Sequence, residues 1–510
     1  MTSSRPATPR FMLATESGGG HGSDRVPEER VRPLNTGEVN RNGQYVLYWM
    51  TSFRRTRSNF ALQRAAERAI EMGTGLLILE ALRSDYRWAS DRFHRFIIEG
   101  MADNSSALAG RQGVTYLPYV ERSIGEGRGL LGALADHASL VVTDDYPNFF
   151  IPRMLEVAAQ RVPVLLEGVD GNGLAPIHAT EKSYPTAYTF RRYLQKGLPR
   201  FLESVPLDDP LANLSGVAAP EIPPGLLDRW PQADLTGGGA ELDLSQLPID
   251  HSIGATGRTG GPSAAEAQLE TFLVKRLSRY ADERNQPEEE VASGLSPWLH
   301  FGHISTHTIL QRLAEHEDWK PDFEGRPTDG KRSGWWGMSG PAEAFLDELV
   351  TWRELGYNMA ANQPDYREYG SLPEWARETL AAHVDDPRPH TYSLEEFAAA
   401  ETHDELWNAA QRQLVREGVI HNYLRMLWGK KILEWTWTPH EAADVMIELN
   451  NRYALDGRDP NSYSGIYWCL GRYDRPWGPE RPIFGKIRYM TSKNTARKVR
   501  VGEYLERFSE

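Results

Sequence analysis

The chain has 510 residues, enough for two or three domains and for an interior that encloses a large ligand. Its 57 Lys and Arg against 70 Asp and Glu give a formal charge of −13, which argues against a protein that coats nucleic acid or anionic membrane over its whole surface but leaves room for a local basic groove. A single cysteine, Cys469, excludes an intrachain disulfide and a cysteine-based zinc site. Most of the 15 tryptophans follow residue 295.

No run approaches the roughly 20 apolar residues that a membrane span needs, and residues 1–32 lack the apolar core of a signal peptide. We therefore expect a cytoplasmic protein, nucleoid-associated in a prokaryote, that makes no membrane contact and is monomeric.

Residues 1–40 are rich in Ser, Gly, Pro, Arg and Glu without a hydrophobic period, and they predict a disordered tail. Residues 41–204 alternate short apolar runs with amphipathic segments. Five such strand–helix units predict a Rossmann-like α/β domain with a parallel sheet. The predicted strands cover 44–50, 75–82, 114–120, 139–145 and 162–169, and the helices cover 59–72, 91–108, 128–137 and 152–160.

Residues 205–262 are rich in Pro and Gly, and they predict a long interdomain linker. From residue 263 to 510 the patterns are almost wholly helical, which predicts an all-α domain able to hold a cofactor in its interior.

Two motifs resemble functional sites but have simpler structural explanations. Gly125, Gly127 and Gly129 follow the third strand, but glycines before a helix are more often plain turn chemistry. The spacing of His300, His303 and His307 puts them on one helical face, yet no H-E-x-x-H pattern accompanies them, and packing or capping roles are favoured over a metal site. No metal is expected.

One helix of the second half carries an aromatic stripe. Arg425, Trp428, Ile432 and Trp435 follow at helical spacing, and Trp407 opens the preceding helical stretch. Such a stripe is usually core, but neighbouring indoles that lead outward also offer a route for single-electron hopping.

Other residues extend this constellation. Glu348 and Trp352, four apart, share a face of another helix and put a carboxylate beside an indole. Residues 450–461 cluster Asn, Asp and Arg in a loop between helices, which is often merely a turn. Residues 481–500 carry seven Lys or Arg and no acid, a basic patch suited to phosphates and exposed bases.

Four separated motifs together carry a resemblance: SGLSPWLHFGHIS (293–305), HNYLRMLWGKKILEWT (421–436), LDGRDPNSY (455–463) and ERPIFGKIRYM (480–490). In this order they resemble the signature stretches of class II cyclobutane pyrimidine dimer photolyases in the cryptochrome/photolyase family. The chain departs from that pattern after Trp468, where it reads CLGRYDRPWGPERP, and at 319–340, which is long and Gly-rich for its position and predicts an insertion close to the DNA face.

The resemblance implies a set of roles for individual residues. The residues that would bind FAD are Tyr280, Ser293, Gly294, Leu295, Ser296, Arg425, Asp456, Gly457, Arg458 and, facing flavin N5, Asn450. The implied electron path is Trp407, Trp428 and Trp435. The residues that would contact the dimer and its DNA are Glu348, Trp352, Asn422, Met426, Trp468, Lys486 and Arg488.

The activity implied by the resemblance is light-driven electron transfer from reduced FAD to a dimer flipped out of DNA, which splits the cyclobutane ring. The α/β domain hosts an antenna chromophore in some relatives, and the sequence does not decide between a deazaflavin, a folate and an empty site. Two alternatives stay open: a cryptochrome-like photoreceptor without repair activity, and a light-independent flavoprotein or nucleic-acid-binding module.

Overall fold

A computed structural model describes residues 25–214 and 216–509 of the chain. Its first half is built on a six-stranded sheet in the order β1-β6-β5-β2-β3-β4. The strands are β1 Val31–Pro33, β2 Tyr45–Met50, β3 Gly75–Leu82, β4 Val114–Val120, β5 Ala138–Asp144 and β6 Leu166–Val169.

The five strands β2 to β6 are parallel, in register with Tyr48 opposite Ile78 on one side and Val142 on the other. Every residue of β2 and β5 is buried, as expected for central strands covered on both faces. The helices of this half are α1 Phe60–Met72, α2 Asp91–Leu108, α3 Leu130–Ala135, α4 Ile151–Ala159 and α5 Ala187–Phe201.

The edge of the sheet differs from the prediction. Residues 1–24 of the predicted tail lie outside the described residues, but Val31–Pro33 forms β1, which pairs antiparallel with β6. Arg30, just before it, is buried and donates to the carbonyl of Leu174 at 2.7 Å. The tail therefore does not extend to residue 40, and the sheet is mixed. This strand could not be predicted from the sequence because three residues are too few to show the alternation of apolar and polar side chains.

Among its described residues, the predicted linker contains only brief helical elements before a longer helix begins at Pro262. These are α6 Leu226–Arg229 and the 3₁₀ turns Ala212–Leu214, Thr236–Gly239 and Leu244–Gln246. Leu214 and Trp230 are buried in the same hydrophobic cluster as the sheet, whereas Leu244 and Ile253 are buried in the cluster of the helical half. The connection therefore packs against both halves.

The remainder is helical. The helices are α7 Pro262–Lys275, α8 Leu277–Glu283, α9 Ser296–His300, α10 Thr306–His316, α11 Gly340–Leu346, α12 Arg353–Asn362, α13 Glu374–Ala382, α14 Leu394–Ala399, α15 Glu405–Glu417, α16 Asn422–Trp435, α17 Pro439–Tyr453, α18 Pro460–Cys469, α19 Ser492–Lys498 and α20 Gly502–Arg507. This architecture confirms the predicted fold class. No helix in the described part of the chain is long and apolar enough to cross a membrane.

The shared helical face predicted for the three histidines is wrong. A break between α9 and α10, with Gly302 at φ +72°, separates His300 from His307. His303, within the break, accepts from the amide of Gly261 at 2.9 Å and stacks on Phe96. His303, and His307, whose ring packs edge-on against Phe60 at 5.3 Å between centroids, are therefore packing residues.

The same break joins the two halves of the chain. A Cβ on Gly302 would lie 1.9 Å from the carbonyl oxygen of Ser52, and the guanidinium of Arg55 donates to the Gly302 carbonyl at 2.9 Å. The segments after β2 and after α9 thus approach closely enough to require glycine.

Candidate active site

Glu348 and Trp352 lie in a π-helical stretch, Asp347–Trp352, between α11 and α12. The sequence predicts an uninterrupted α-helix here. Single π turns within α-helices occur frequently at functional sites.

The carboxylate of Glu348 forms an ion pair with Arg284, with 2.6 Å between Oε1 and the nearest guanidinium nitrogen. Burial raises the pKa of Glu348, and the charge of Arg284 opposes that shift. The Arg284 guanidinium also lies over the ring of Tyr280, 5.5 Å from its centroid. Tyr280 and Glu348 are therefore brought together by Arg284, which sequence reasoning missed because an Arg near the end of a helix is typical of a solvated face.

Trp352 and Trp468 stack with their ring centroids 4.6 Å apart and their planes 16° apart. Both are only half-buried. Each ring covers one face of the other, so the open part of this aromatic wall is the outer side of the stacked pair. Met426 is half-buried in the same core region, whereas Asn422 is exposed at the first turn of α16. The structure shows no direct contact that ties Asn422 to the wall.

Arg425 and Asp456 form a loose pair, with 3.4 Å between the closest nitrogen and oxygen. The Nε of Arg425 is buried and has no hydrogen-bond partner. A buried donor without a partner is costly, so this position suits a polar ligand.

Asn450, Gly457 and Arg458 meet at the end of α17. The side chain of Asn450 donates to Oδ1 of Asn451 at 3.2 Å, and the same oxygen accepts from the amide of Arg458 at 2.8 Å. A Cβ on Gly457 would lie 2.8 Å from the Asn450 carbonyl oxygen, so only glycine allows this close turn.

The segment 293–296 ends at the first residue of α9. Gly294 has φ +67°, and Gln268 donates to the Ser293 carbonyl at 2.6 Å. Leu295 is buried and Ser296 exposed. Arg258 approaches the same loop: a Cβ on Gly294 would lie 3.7 Å from its guanidinium.

Arg258 forms no ion pair with any carboxylate of the described residues, and burial lowers its pKa. A cation with no partner beside two serines and a glycine turn suits a pyrophosphate. Together with the unpartnered Nε of Arg425, these residues fit the FAD that the resemblance implies.

The three tryptophans of the implied electron path are buried and connected. The indole of Trp407 donates to the Trp428 carbonyl at 3.0 Å, and its ring lies 5.8 Å from that of Trp435. Beyond Trp435 lie Tyr392, at 5.5 Å between centroids, and the exposed His403, at 5.1 Å. The rings of Trp407, Trp435 and His403 therefore lead from the interior to the surface, and Trp428 joins them through the hydrogen bond from Trp407 to its backbone carbonyl.

Lys486 and Arg488 are exposed and have different surroundings. Lys486 pairs with Glu480 at 3.2 Å, just before the acid-free segment. Arg488 lies over Trp477, 5.3 Å from its centroid, and forms no ion pair within the described residues.

A separate cavity of about 580 Å³ lies at the carboxyl ends of the parallel strands. It opens at the ends of β2, β3 and β4, beside the point between β2 and β5 where the strand order reverses, which is the usual ligand position in open α/β sheets. Its lining includes Tyr86, His300 and the side chain of Arg458. Gly125 and Gly127, set aside as plain turn residues, line it too.

Within the described ranges, no three His, Cys, Asp or Glu side chains are grouped closely enough to hold a metal ion.

Comparisons with known proteins give a consistent result. A protein of Methanothermobacter thermautotrophicus named deoxyribodipyrimidine photo-lyase is 36% identical over 487 residues, which cover 94% of this chain and 98% of that protein. Proteins of the same name from Potorous tridactylus and Arabidopsis thaliana are each 31% identical, and cover 95% and 94% of this chain and 85% and 92% of their own length.

Two solved structures share the fold. A bacterial class III photolyase from Agrobacterium tumefaciens matches with a TM-score of 0.63 at 19% identity, covering 91% of this chain and 86% of that one. A Synechocystis cryptochrome matches with a TM-score of 0.65 at 16% identity, covering 91% and 88%. No family model matches.

Proposed function

Because this chain belongs to the deoxyribodipyrimidine photo-lyase family, we propose that it repairs cyclobutane pyrimidine dimers in DNA with light as its energy source. We further propose class II membership, on the four motifs named above. The observation that carries the proposal is the half-exposed wall of Trp352 and Trp468 beside the paired carboxylate of Glu348.

The wall would receive the dimer after it leaves the helix. A dimer stacks and pairs poorly, so its extrusion costs less than that of an intact pair, and an indole face offsets part of what remains. Trp352 and Trp468 supply that face.

Glu348 would bind a pyrimidine carbonyl. Burial favours the protonated carboxyl, which can donate a hydrogen bond, whereas Arg284 favours the ionised form. Arg284 would therefore set how readily Glu348 donates.

FAD, bound in reduced form, would supply the photoexcited electron donor for ring cleavage. Arg258, Ser293 and Ser296 would hold its pyrophosphate. Arg425, with Asp456 as its loose partner, would offer a cation to the isoalloxazine ring, and Asn450 would face its N5 position. Tyr280, Leu295, Gly457 and Arg458 would complete the walls.

Trp407, Trp428 and Trp435 would carry electrons inward from the surface to restore the reduced state. Their burial keeps water from the rings, and the Trp407–Trp428 hydrogen bond fixes two of them together.

The 580 Å³ cavity suits a second, antenna chromophore. Its mixed aromatic and apolar lining would stack a fused ring, and Arg458 and Arg128 would meet polar or anionic substituents. Both a deazaflavin and a folate have a fused ring and polar or anionic substituents.

The test is repair of an oligonucleotide with one defined thymine dimer by purified, reduced protein, in blue or near-UV light and in the dark. We expect loss of dimers only in the light. Flavin photoreduction without repair would instead support a photoreceptor, and flavin without photoreduction a light-independent flavoprotein.

A further inference from the structure

The segment 319–340 folds into a loop held by its own aromatic side chains. The rings of Phe323 and Trp335 stack at 4.7 Å between centroids, and the indole of Trp319 donates to the Trp336 carbonyl at 2.7 Å. Arg326 donates to the Trp335 carbonyl at 2.6 Å. The loop is therefore fixed in shape despite its many glycines.

This loop is also fastened beside the candidate active site. Gln195 of α5 donates to the carbonyl of Lys331 at 3.1 Å. Arg191 donates to the carbonyl of the residue before Lys331 at 3.0 Å and to the carboxylate of Asp347 at 2.8 Å. Asp347 immediately precedes Glu348, so two hydrogen bonds of Arg191 set the turn 331–334 next to the π-helical stretch.

The turn adds to a row of cations on α5. Arg192 and Lys196, one helical turn apart, are exposed and form no ion pair among the described residues, and the same holds for Arg332. Lys331 pairs only with the partly exposed Asp329. A Cβ on Gly330 would lie 2.7 Å from Cγ of Arg192, so the turn and the helix form one surface.

Like charges four residues apart destabilise a helix slightly, so these cations do not contribute to the stability of the fold. On a chain of charge −13, such a group of cations is a local exception. Tyr188, 54% exposed, adds an aromatic ring at its edge.

We propose that this surface, the α5 patch of Tyr188, Arg192, Lys196, Lys331 and Arg332, binds the phosphate backbone of the DNA strand that carries the dimer. The inference rests on the proposed function. Arg332 lies close enough to Glu348 for its charge to lower the pKa of that carboxyl, so a dimer bound at Glu348 would bring its flanking phosphates near the patch. The patch comes from α5 and the 319–340 loop, whereas Lys486 and Arg488 lie near the C-terminus, so the strand would be held by two separate parts of the chain.

The test compares Arg332→Ala and the double variant Arg192→Ala/Arg332→Ala with Arg41→Ala. Arg41 is a matched control, since it is exposed, has no ion-pair partner among the described residues, and precedes β2 at the amino ends of the parallel strands. Affinity for duplex DNA with one thymine dimer is measured between low and moderate salt.

The slope of log K against log salt is negative, and each lost phosphate contact reduces its magnitude by about 0.9. We expect the magnitude to fall by about that amount in Arg332→Ala, by about twice that amount in the double variant, and not at all in Arg41→Ala. An unchanged slope in both patch variants would overturn the inference.

A dinucleotide dimer, which has no flanking phosphates, separates the two proposals. Under the inference, Arg192→Ala, which leaves Arg332 and Glu348 unchanged, repairs it in light as fast as wild type does. A wild-type protein that repairs neither substrate refutes the proposed function, whereas normal repair by wild type with an unaffected variant slope refutes only the patch.

Discussion

The ammonium group of Lys430 donates a 2.6 Å hydrogen bond to the backbone carbonyl of Cys469, at the end of the helix that carries Trp468. Lys430 is fully buried, and burial lowers its pKa to about 8. No carboxylate of the described residues forms an ion pair with it, so the carbonyl at this helix end is its acceptor in place of an acid.

This pair predicts a pH-dependent stability. Because the unfolded lysine keeps a pKa near 10.4, the unfolded state binds more protons between about pH 8 and pH 10.4, and stability rises with pH across that window. Relative to Lys430→Met, the free energy of unfolding of wild type should gain up to about 3 kcal/mol there. Denaturant melts at pH 7.5, 9 and 10 measure it, and a constant difference between the two proteins would refute it.

The electron path predicts separate effects on photoreduction and repair. Trp407→Phe keeps an aromatic ring in the core but removes the readily oxidised indole, so flavin photoreduction should slow at least about tenfold, as for an added barrier of about 1.4 kcal/mol. Repair by chemically reduced enzyme should stay near wild type.

Trp319→Phe is the control, since Trp319 is a buried indole in the aromatic loop, apart from the path. Time-resolved absorption after a light flash gives the photoreduction rate. Equal slowing in both variants would point to a general packing defect.

Glu348 predicts a loss that depends on hydrogen bonding. Glu348→Ala should lower the rate of repair of bound dimers roughly tenfold to a hundredfold. That factor corresponds to the loss of about 1.5–3 kcal/mol from a hydrogen bond to a charged or strongly polar group. Glu348→Gln, which keeps a donor and an acceptor, should lose less.

Single-turnover repair under saturating light distinguishes these variants. If Gln and Ala substitutions cost the same, the charge that balances Arg284 matters rather than the hydrogen bond.

The basic C-terminal segment predicts unequal contributions from its two cations. Arg488 has no ion-pair partner among the described residues. Arg488→Ala should therefore reduce the magnitude of the negative salt slope of DNA binding by about 0.9. Lys486 is already paired with Glu480, so Lys486→Ala should change the slope less. Equal slopes for Arg488→Ala and wild type would remove Arg488 from the DNA surface.

Much of the fold could be predicted from the sequence because its strands are continuous apolar runs. The run 75–82 forms β3 with the same bounds, and 91–108 forms α2. A buried parallel strand needs apolar side chains on both faces, and few other structures give this pattern.

The π-helical stretch could not be predicted, since a shift from i+4 to i+5 hydrogen bonding leaves the residue pattern unchanged. The roles of Arg284 and Arg258 were hidden for a related reason: only the tertiary fold brings Arg284 to Glu348 and Arg258 to Gly294. The cavity, likewise, is assembled from the ends of several strands and from α9, so no single segment reveals it.

The contact of Gly302 with the segment after β2 has a consequence for light harvesting. Resonance energy transfer depends on the distance and the mutual angle of two chromophores. A side chain at Gly302 would meet the backbone carbonyl of Ser52, so it would shift the sheet cavity relative to the helical site. Under the proposed function, Gly302 would therefore help to set the geometry of energy transfer between the two chromophores. A side chain there would lower the efficiency of antenna-driven repair even where both chromophores still bind.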